Sequence, residues 1–125
     1  LEELLKCSDV ITLHLPLDDS TVNILNRDRL NLIREDAVLI NLARGGLIDE
    51  GALKQRLVTG KLAGAALDVF AEEPPNDLEF SKLDNVLVTP HIGGSTEEAV
   101  LAMGMAAIKG LDDPQDPLDF IKKLV

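Results

Sequence analysis

The sequence predicts an α/β fold organised around a doubly wound parallel sheet. Four short apolar segments, rich in β-branched or small residues, recur along the chain at residues 9–15, 37–42, 63–70 and 85–89. Nearly continuous apolar runs of this length are typical of strands that are buried on both faces of a parallel sheet. Segments with helical signals separate the first three runs, and this alternation favours parallel strands joined by right-handed crossovers.

Helix signals precede and separate these predicted strands. Residues 1–6 show helical spacing of their leucines and resemble the end of a helix that begins upstream. Asn26 is placed to cap a short helix that reaches Arg34. Asp49 is placed to cap the next helix, and Gly60 supplies its C-terminal stop. An acidic, proline-containing loop then leads to the fourth strand.

The predicted sheet is followed by a helix of unusual composition. Ser95 and Glu98 have the spacing of a capping box, and residues 99–108 are apolar without a polar face. A helix that is apolar all round is expected to be buried all round, here between domains or between subunits. Residues 111–117 have the composition of a linker, and residues 118–125 predict a last short helix.

Composition excludes several classes of function. The 125 residues carry 12 basic and 22 acidic side chains, a formal charge of -10, and form no basic stripe. Nucleic acid and anionic membrane surfaces are therefore not expected as partners, and no apolar run reaches the length of a membrane span. The single cysteine, Cys7, rules out an internal disulfide and suits a reducing cytoplasm. Two histidines and one cysteine predict no metal site.

Polar side chains cluster at the predicted carboxyl ends of the strands, where ligands bind in open parallel sheets. Arg44 offers a planar fork of donors suited to a carboxylate. An imidazole such as His91 can move a proton to or from an oxygen atom, and a carboxylate such as Glu73 would hold that imidazole in one orientation. Asp68 is placed to hydrogen-bond a ligand amide. These residue types predict acid–base chemistry on an anionic substrate.

Each of these residues also has a purely structural interpretation. Arg44 in an Arg-Gly-Gly turn is compatible with a solvated arginine, and His91 with a strand-end histidine bonded to the backbone. Glu72 and Glu73 lie in a charged loop, where solvated carboxylates are common. His14, which precedes a leucine and a proline, is compatible with a partly buried ring whose polar atoms are satisfied.

Three ordered motifs carry a resemblance to a known family: INLARGGLID at residues 40–49, LAGAALDVFAEEP at residues 62–74 and VTPHIGGST at residues 88–96. Over about residues 4–110 the sequence resembles the D-isomer-specific 2-hydroxyacid dehydrogenases, nearest to the phosphoglycerate dehydrogenase branch. The resemblance implies an NAD-dependent hydride transfer between the nicotinamide ring and C2 of a 2-hydroxy or 2-keto acid. It leaves NADP open as the cofactor.

By motif position, the resemblance implies a role for each candidate residue. Arg44 would bind the substrate carboxylate and carbonyl, His91 would donate and accept the proton, and Glu73 would be the carboxylate that tunes the histidine. Asp68 would hold the nicotinamide carboxamide, and Arg44 and His91 would contact the cofactor as well. The other implied cofactor contacts are His14, Leu15 and Pro16 at the adenine wall, Thr21 near the phosphate or ribose, Leu42 and Ala43 near the nicotinamide, and Gly93 and Gly94 in the backbone of that pocket.

The sequence departs from the family pattern in its glycines. No glycines are spaced G-x-G-x-x-G, and the acidic residue that should follow the next strand has no place. We therefore expect residues 1–92 to be the C-terminal half of a Rossmann-type NAD-binding domain whose first βαβ unit is absent. Residues 93–125 would be a crossover helix and tail towards a substrate domain that is absent as well. Pyrophosphate binding at a helix N-terminus would then be lost.

Three interpretations follow. The first is part of an NAD-dependent D-2-hydroxyacid dehydrogenase, with 3-phosphoglycerate as one candidate substrate, that is inactive on its own. The second is a non-catalytic nucleotide-sensing or interaction module of the corepressor type. Its apolar helix and the uncovered edge of its first strand would seek a partner, giving a homodimer or a swapped assembly. The third is a decayed reading frame, which the genomic sequence upstream of Leu1 would test.

Overall fold

The computed structural model describes residues 1–75 and 78–112. The chain divides after His91 into two compact units, Leu1–His91 and Ile92–Val125. The helices and strands of the first unit are α1 (Glu2–Cys7), β1 (Val10–Leu13), α2 (Arg27–Leu30), β2 (Val38–Asn41), α3 (Glu50–Val58), β3 (Gly64–Leu67) and β4 (Val86–Val88). Two 3-10 helices, Gly45–Leu47 and Leu78–Lys82, follow β2 and precede β4. The second unit contains α4 (Glu97–Asp112), and the predicted helix at residues 118–125 lies outside the described residues.

The four strands form one parallel sheet in the order β1-β2-β3-β4. The register places Leu13 beside Asn41, Asn41 beside Leu67, and Leu67 beside Val88. Because all four strands run in the same direction, their carboxyl ends meet at one edge of the sheet. The predicted fold class and its four strands are confirmed.

Only one face of the sheet is buried. Ile11, Leu39 and Leu67 on that face are at most 4% exposed, whereas Val10 on the other face is 58% exposed. The first three strands alternate between buried and more exposed positions. The prediction that the strands are buried on both faces is therefore wrong for this chain. The physical reason is that the buried leucines of α1, α2 and α3 all join one core, which lies against one face of the sheet.

That core is built mainly from aliphatic side chains, together with Phe70 and Phe80. Leu5 of α1, Leu30 of α2, and Leu53 and Leu57 of α3 belong to the same buried cluster as Leu39 of β2. Full burial of a leucine contributes about 1.5–3 kcal/mol relative to exposure. The helices are therefore held to the sheet by packing, which fixes where the loops at the strand ends begin.

The predicted N-terminal caps of α2 and α3 are confirmed. The Asn26 side chain accepts a hydrogen bond from the backbone of Arg29 at 3.0 Å. The Asp49 side chain accepts one from the backbone of Ala52 at 2.9 Å. Each cap satisfies a backbone N–H that has no partner within its helix. The α-helix α2 is shorter than predicted and ends at Leu30.

The C-terminal stop of α3 is also confirmed, and it is a Schellman motif. Gly60 has a φ of 69° and donates its N–H to the Leu57 carbonyl at 3.2 Å, while Lys61 donates to the Arg56 carbonyl at 2.8 Å. The buried Arg56 guanidinium donates to the Ile33 carbonyl at 2.7 Å and also to the Lys61 carbonyl. The end of α3 is thereby tied to the segment that follows α2.

The helix α4 differs from its prediction at its start. The Thr96 hydroxyl accepts a hydrogen bond from the backbone of Ala99 at 3.1 Å, so Thr96 caps the helix and the predicted role of Ser95 is wrong by one residue. The apolar side chains of α4 are exposed, with Leu101 at 67% and Met103 at 60%. The predicted burial of this helix between domains or between subunits stays a prediction.

Candidate functional site

A histidine and a carboxylate form a close pair at the carboxyl end of β4. The Nδ1 atom of His91 lies 2.6 Å from Oε2 of Glu73. The other Glu73 oxygen, Oε1, accepts a hydrogen bond from the backbone of Phe70 at 2.9 Å. The bond to His91 and, next, the bond from Phe70 hold the pKa of the Glu73 carboxyl below its usual value. The pair is an oriented acid–base group at the protein surface.

The backbone of His91 is held in an uncommon conformation. Its φ is 54°, in the left-handed region that costs a residue with a side chain about 1–3 kcal/mol. His91 comes three residues after Val88, the last residue of β4, and directly follows Pro90. Such conformations persist only where the surroundings hold them, and the imidazole of His91 is bonded to Glu73.

Asp68 lies directly after β3 and is 2% exposed. Its backbone N–H donates to the Asn41 carbonyl at 3.0 Å, and its side chain accepts a hydrogen bond from the Thr89 hydroxyl at 2.5 Å. An open cavity of about 520 Å³ is lined by Asp68, Thr89, Glu73 and His91, with apolar walls. The structure therefore brings three of the predicted site residues, Asp68, Glu73 and His91, to one cavity.

The turn that carries Arg44 is fixed by Asn41, a residue that the sequence interpretation missed. Asn41 ends β2, is 1% exposed, and donates its side-chain amide to the Arg44 carbonyl at 2.9 Å. Its side-chain oxygen accepts the N–H of Ala43 at 3.1 Å. The Arg44 guanidinium is exposed and donates to the Ala43 carbonyl at 2.7 Å. A polar residue that ends a buried apolar strand was the signal that could have identified Asn41.

A second open cavity lies at the carboxyl ends of β1 and β2. Its volume is about 460 Å³, and it is lined by seven residues: His14, Leu15, Pro16, Leu17, Leu42, Ala43 and Arg44. Six of these are predicted cofactor contacts. Five of the seven are apolar residues, but polar atoms form most of the exposed lining and the guanidinium supplies positive charge, so the cavity offers both apolar contacts and hydrogen bonds to a ligand that carries an anionic group.

Two predicted cofactor contacts at the end of β1 have local partners. The ring Nε2 of His14 lies 3.0 Å from the Thr12 hydroxyl, and His14 is exposed, which makes the partly buried interpretation wrong. The Thr21 hydroxyl donates to the Pro16 carbonyl at 2.7 Å and accepts the N–H of Asp18 at 2.8 Å. Thr21 therefore closes its own loop. Gly93 and Gly94 lie in the second unit, before α4.

The two strand-end loops touch through their backbones. A Cβ atom built on Gly45, next to Arg44, would lie 1.8 Å from the Phe70 carbonyl carbon and 2.2 Å from the Ala71 nitrogen. No side chain fits such a gap. The Arg44 turn is thereby in direct contact with the segment that hydrogen-bonds Glu73.

Metal sites and membrane spans are absent from the part of the chain that the structure describes. Within residues 1–75 and 78–112, histidine, cysteine, aspartate and glutamate form no group of three or more that could hold a metal ion. None of the described helices combines the length and the apolar character needed to cross a membrane.

Comparison with known proteins was made with the sequence and with the fold. Residues 1–93 match the family model described as "D-isomer specific 2-hydroxyacid dehydrogenase, NAD binding domain". The chain is 53% identical over 104 residues to D-3-phosphoglycerate dehydrogenase of Methanocaldococcus jannaschii. The matched segment covers 83% of this chain and 20% of that protein.

Two solved structures show the same fold. An NAD-complexed D-isomer-specific 2-hydroxyacid dehydrogenase from Lactobacillus delbrueckii ssp. bulgaricus matches with a TM-score of 0.80 and 32% identity, over 93% of this chain and 40% of that one. An acyclic imino acid reductase in complex with NADPH and D-Arg matches with a TM-score of 0.82 and 38% identity, over 89% of this chain and 36% of that one.

The chain thus spans well under half the length of each of these proteins. The family model, however, covers the whole of the first unit, Leu1–His91. The chain belongs to the D-isomer-specific 2-hydroxyacid dehydrogenase family, within the NAD-binding domain of that family.

Proposed function

We propose that this chain supplies the catalytic and nicotinamide side of an NAD-dependent D-2-hydroxyacid dehydrogenase. The observation that carries the proposal is the 2.6 Å pair of His91 and Glu73, at the same edge of the sheet as the Arg44 turn, in a domain of this family. The reaction would interconvert a 2-hydroxy acid and a 2-keto acid.

The proposed chemistry assigns a proton step to His91. A carboxylate at Nδ1 favours a proton on that nitrogen, which leaves Nε2 to exchange a proton with the substrate oxygen. During oxidation His91 takes the hydroxyl proton while hydride leaves C2, and during reduction it returns that proton to the new alkoxide. When bound, NAD accepts or supplies the hydride at its nicotinamide ring. Arg44 offers its guanidinium to the substrate carboxylate.

Cofactor contacts are proposed for the second cavity and for the end of β3. The apolar lining from Leu15, Pro16 and Leu42 supports an adenine or nicotinamide ring there, and buried Asp68 supports a hydrogen bond to the carboxamide. NAD is the cofactor named by the family model, and the imino acid reductase with NADPH leaves NADP open. Thr21, Gly93 and Gly94 are proposed cofactor contacts on the family resemblance alone.

We propose that the 125-residue chain binds NADH weakly and does not turn over substrate by itself, because it contains no G-x-G-x-x-G segment to hold the pyrophosphate. Titration of the purified chain with NADH, followed by nicotinamide fluorescence, tests the affinity. Incubation with a panel of 2-keto acids, including glyoxylate and 3-phosphohydroxypyruvate, tests turnover. A micromolar dissociation constant together with NADH consumption would contradict this proposal.

Self-association is a second proposal about the same chain. The exposed apolar side chains of α4 and the outer edge of β1, which pairs with no described strand, support a homodimer or a swapped assembly. Light scattering after size exclusion should give twice the chain mass of 13.5 kDa. Leu101→Asp should shift the mass towards the monomer if α4 forms the contact. A monomer at high concentration would contradict the proposal.

The division of the structure after His91 supports assigning residues 1–92 to the NAD-binding domain and residues 93–125 to a crossover and tail. No observation favours the corepressor-type alternative, and the three relatives named above are named as enzymes.

We also propose a reducing, cytoplasmic setting, which the exposed Cys7 thiol supports. Alkylation of the protein in fresh lysate, followed by mass spectrometry, should find that thiol free.

A further inference from the structure

We propose that Glu50, the first residue of α3, is a positioning residue that fixes the Phe70–Ala71 segment so that Glu73 faces His91. Glu50 belongs to neither of the two cavities described above and contacts none of the reacting groups. The positioning of Glu73 by Glu50 does not depend on the proposed dehydrogenase function. Only the consequence of that positioning for catalysis rests on it.

Two consecutive backbone amides are held by two carboxylates from different parts of the chain. The Ala71 N–H donates to Oε1 of Glu50 at 2.6 Å. The preceding amide, Phe70 N–H, donates to Oε1 of Glu73 at 2.9 Å. Hydrogen bonds to an ionised carboxylate are roughly twice as strong as neutral ones. The orientation of one short segment therefore depends on both carboxylates.

The same segment is fixed on its other sides. Gly45 packs against the Phe70 carbonyl carbon and the Ala71 nitrogen, and the Phe70 ring lies 6.0 Å from the Phe80 ring, centroid to centroid. The backbone that carries Glu50 is fixed at the start of α3, where Asp49 caps the helix. The segment cannot turn without breaking the bond from Ala71 to Glu50.

The charges around the two carboxylates differ. Burial, and next the neighbouring charge of Glu73, raise the pKa of the Glu50 carboxyl, and the bond from Ala71 opposes them. Lys54 and Glu72 line the same hollow as Glu50. Around Glu73, the bonds from His91 and Phe70 lower the pKa and the charge of Asp68 raises it. The two glutamates are therefore expected to titrate on opposite sides of 4.5, the ordinary value.

A pH titration of the unmodified chain by NMR tests the contacts without any substitution. The Ala71 amide proton should follow the ionisation of Glu50, with a midpoint above 4.5, while the Phe70 amide proton should follow that of Glu73, with a midpoint below 4.5. The two reporters are adjacent in sequence, so a general acid-induced change would move them together. A common midpoint for both amides would overturn the proposal.

Two variants test whether Glu50 positions Glu73. Glu50→Gln keeps an acceptor for Ala71, so the Glu73 midpoint, followed by its carboxyl ¹³C shift, should stay low. Glu50→Ala removes the acceptor, and the Glu73 midpoint should rise towards 4.5. Glu72→Ala, which removes an exposed carboxylate from the same loop, is the matched control and should leave the midpoint unchanged.

An unchanged Glu73 midpoint in folded Glu50→Ala would show that Glu50 is not a positioning residue. If Glu50→Ala does not fold, the Ala71 and Phe70 midpoints of the unmodified chain and the Glu73 midpoint of Glu50→Gln still decide. None of these measurements needs cofactor or turnover. Their failure would therefore leave the proposed dehydrogenase function standing, and failure of that function would leave these midpoints as expected.

Discussion

At the scale of single residues, the site combines side chains that the sequence could identify with others that it could not. His91, Arg44 and Glu73 belong to motifs that are legible in sequence. Asn41 and Glu50 act through contacts to backbone atoms, and the contact from Glu50 spans 21 positions. For Glu50, residue type and spacing carry no information about its partner, because the fold alone brings the two segments close. For Asn41, its place at the end of a buried apolar strand was a usable signal.

The proton role of His91 gives the first prediction. In a complete dehydrogenase that carries this chain, His91→Ala should lower kcat by about 10²–10⁴-fold, the usual contribution of a positioned acid–base group. The dissociation constant for NADH should change little, because the predicted adenine contacts lie at the end of β1. Steady-state kinetics and an NADH titration check the two parts. A variant with normal kcat would remove His91 from the proposed mechanism.

The fork of Arg44 gives the second prediction. Arg44→Lys keeps the charge but loses the paired donors, and losing a charged hydrogen bond of about 1.5–3 kcal/mol should lower kcat/KM by roughly 10–150-fold. Measurement of kcat/KM with the best 2-keto acid checks this. Arg27→Lys, the same substitution at an exposed position of α2 that lines neither cavity described above, is a matched control. Unchanged kinetics in Arg44→Lys would show that Arg44 does not anchor the substrate.

At the scale of helices and strands, local sequence signals were sufficient to predict the elements and their ends. They were not sufficient to predict which faces of those elements are buried. The strands, the caps at Asn26 and Asp49, and the stop at Gly60 follow from local chemistry, and all are present. The predicted burial of both sheet faces is wrong, because an apolar run does not show whether the chain itself covers each face of the sheet. The cap of α4 is displaced from Ser95 to Thr96, two adjacent hydroxyl residues that sequence alone does not separate.

Two glycines, one inside α3 and one just after its end, should respond in opposite directions to the same substitution. Gly60→Ala places a side chain at φ 69° and should destabilise the protein by about 1–2 kcal/mol. Gly51→Ala lies inside the helix, where the nearest atom to the new Cβ is 3.5 Å away, and should stabilise it by about 0.5–1 kcal/mol. Urea unfolding measures both. Changes of the same sign would contradict the assigned end of the helix.

At the scale of the whole molecule, the first unit has a sheet with one covered face, and the second unit contains a helix whose apolar side chains are exposed. The parallel order of the strands was predictable, because it follows from the alternation of strand and helix signals along the chain. Which surfaces remain open was not predictable, since that depends on where every helix packs. The same holds for the stability of the domain towards acid, which depends on contacts between distant carboxylates and their partners.

Glu73 and Glu50 should affect the pH dependence of unfolding with opposite signs. The Glu73 pKa is lowered on folding, so its stabilising contribution is present above 4.5 and is lost as the pH falls through its folded pKa. The Glu50 pKa is raised, so its contribution is present below 4.5 and is lost as the pH rises through its folded pKa.

Consequently Glu73→Gln should lower Tm at neutral pH and leave it nearly unchanged in acid, whereas Glu50→Gln should raise Tm at neutral pH and leave it nearly unchanged in acid. Thermal unfolding of both variants and of the unmodified chain, measured from acid to neutral pH, gives the dependence of Tm on pH for each variant. Parallel profiles for the two variants would contradict the opposite environments of these glutamates.

The contact at Gly45 has a consequence for how the site can move. Because the Arg44 turn and the Phe70–Ala71 segment meet backbone to backbone, we expect them to move together as one rigid unit. Any opening or closing of the site must then be hinged elsewhere. A library randomised at position 45 should return glycine alone among folded members. Position 46, whose nearest neighbours are side-chain atoms of Leu17 at 3.0 Å, should also return alanine.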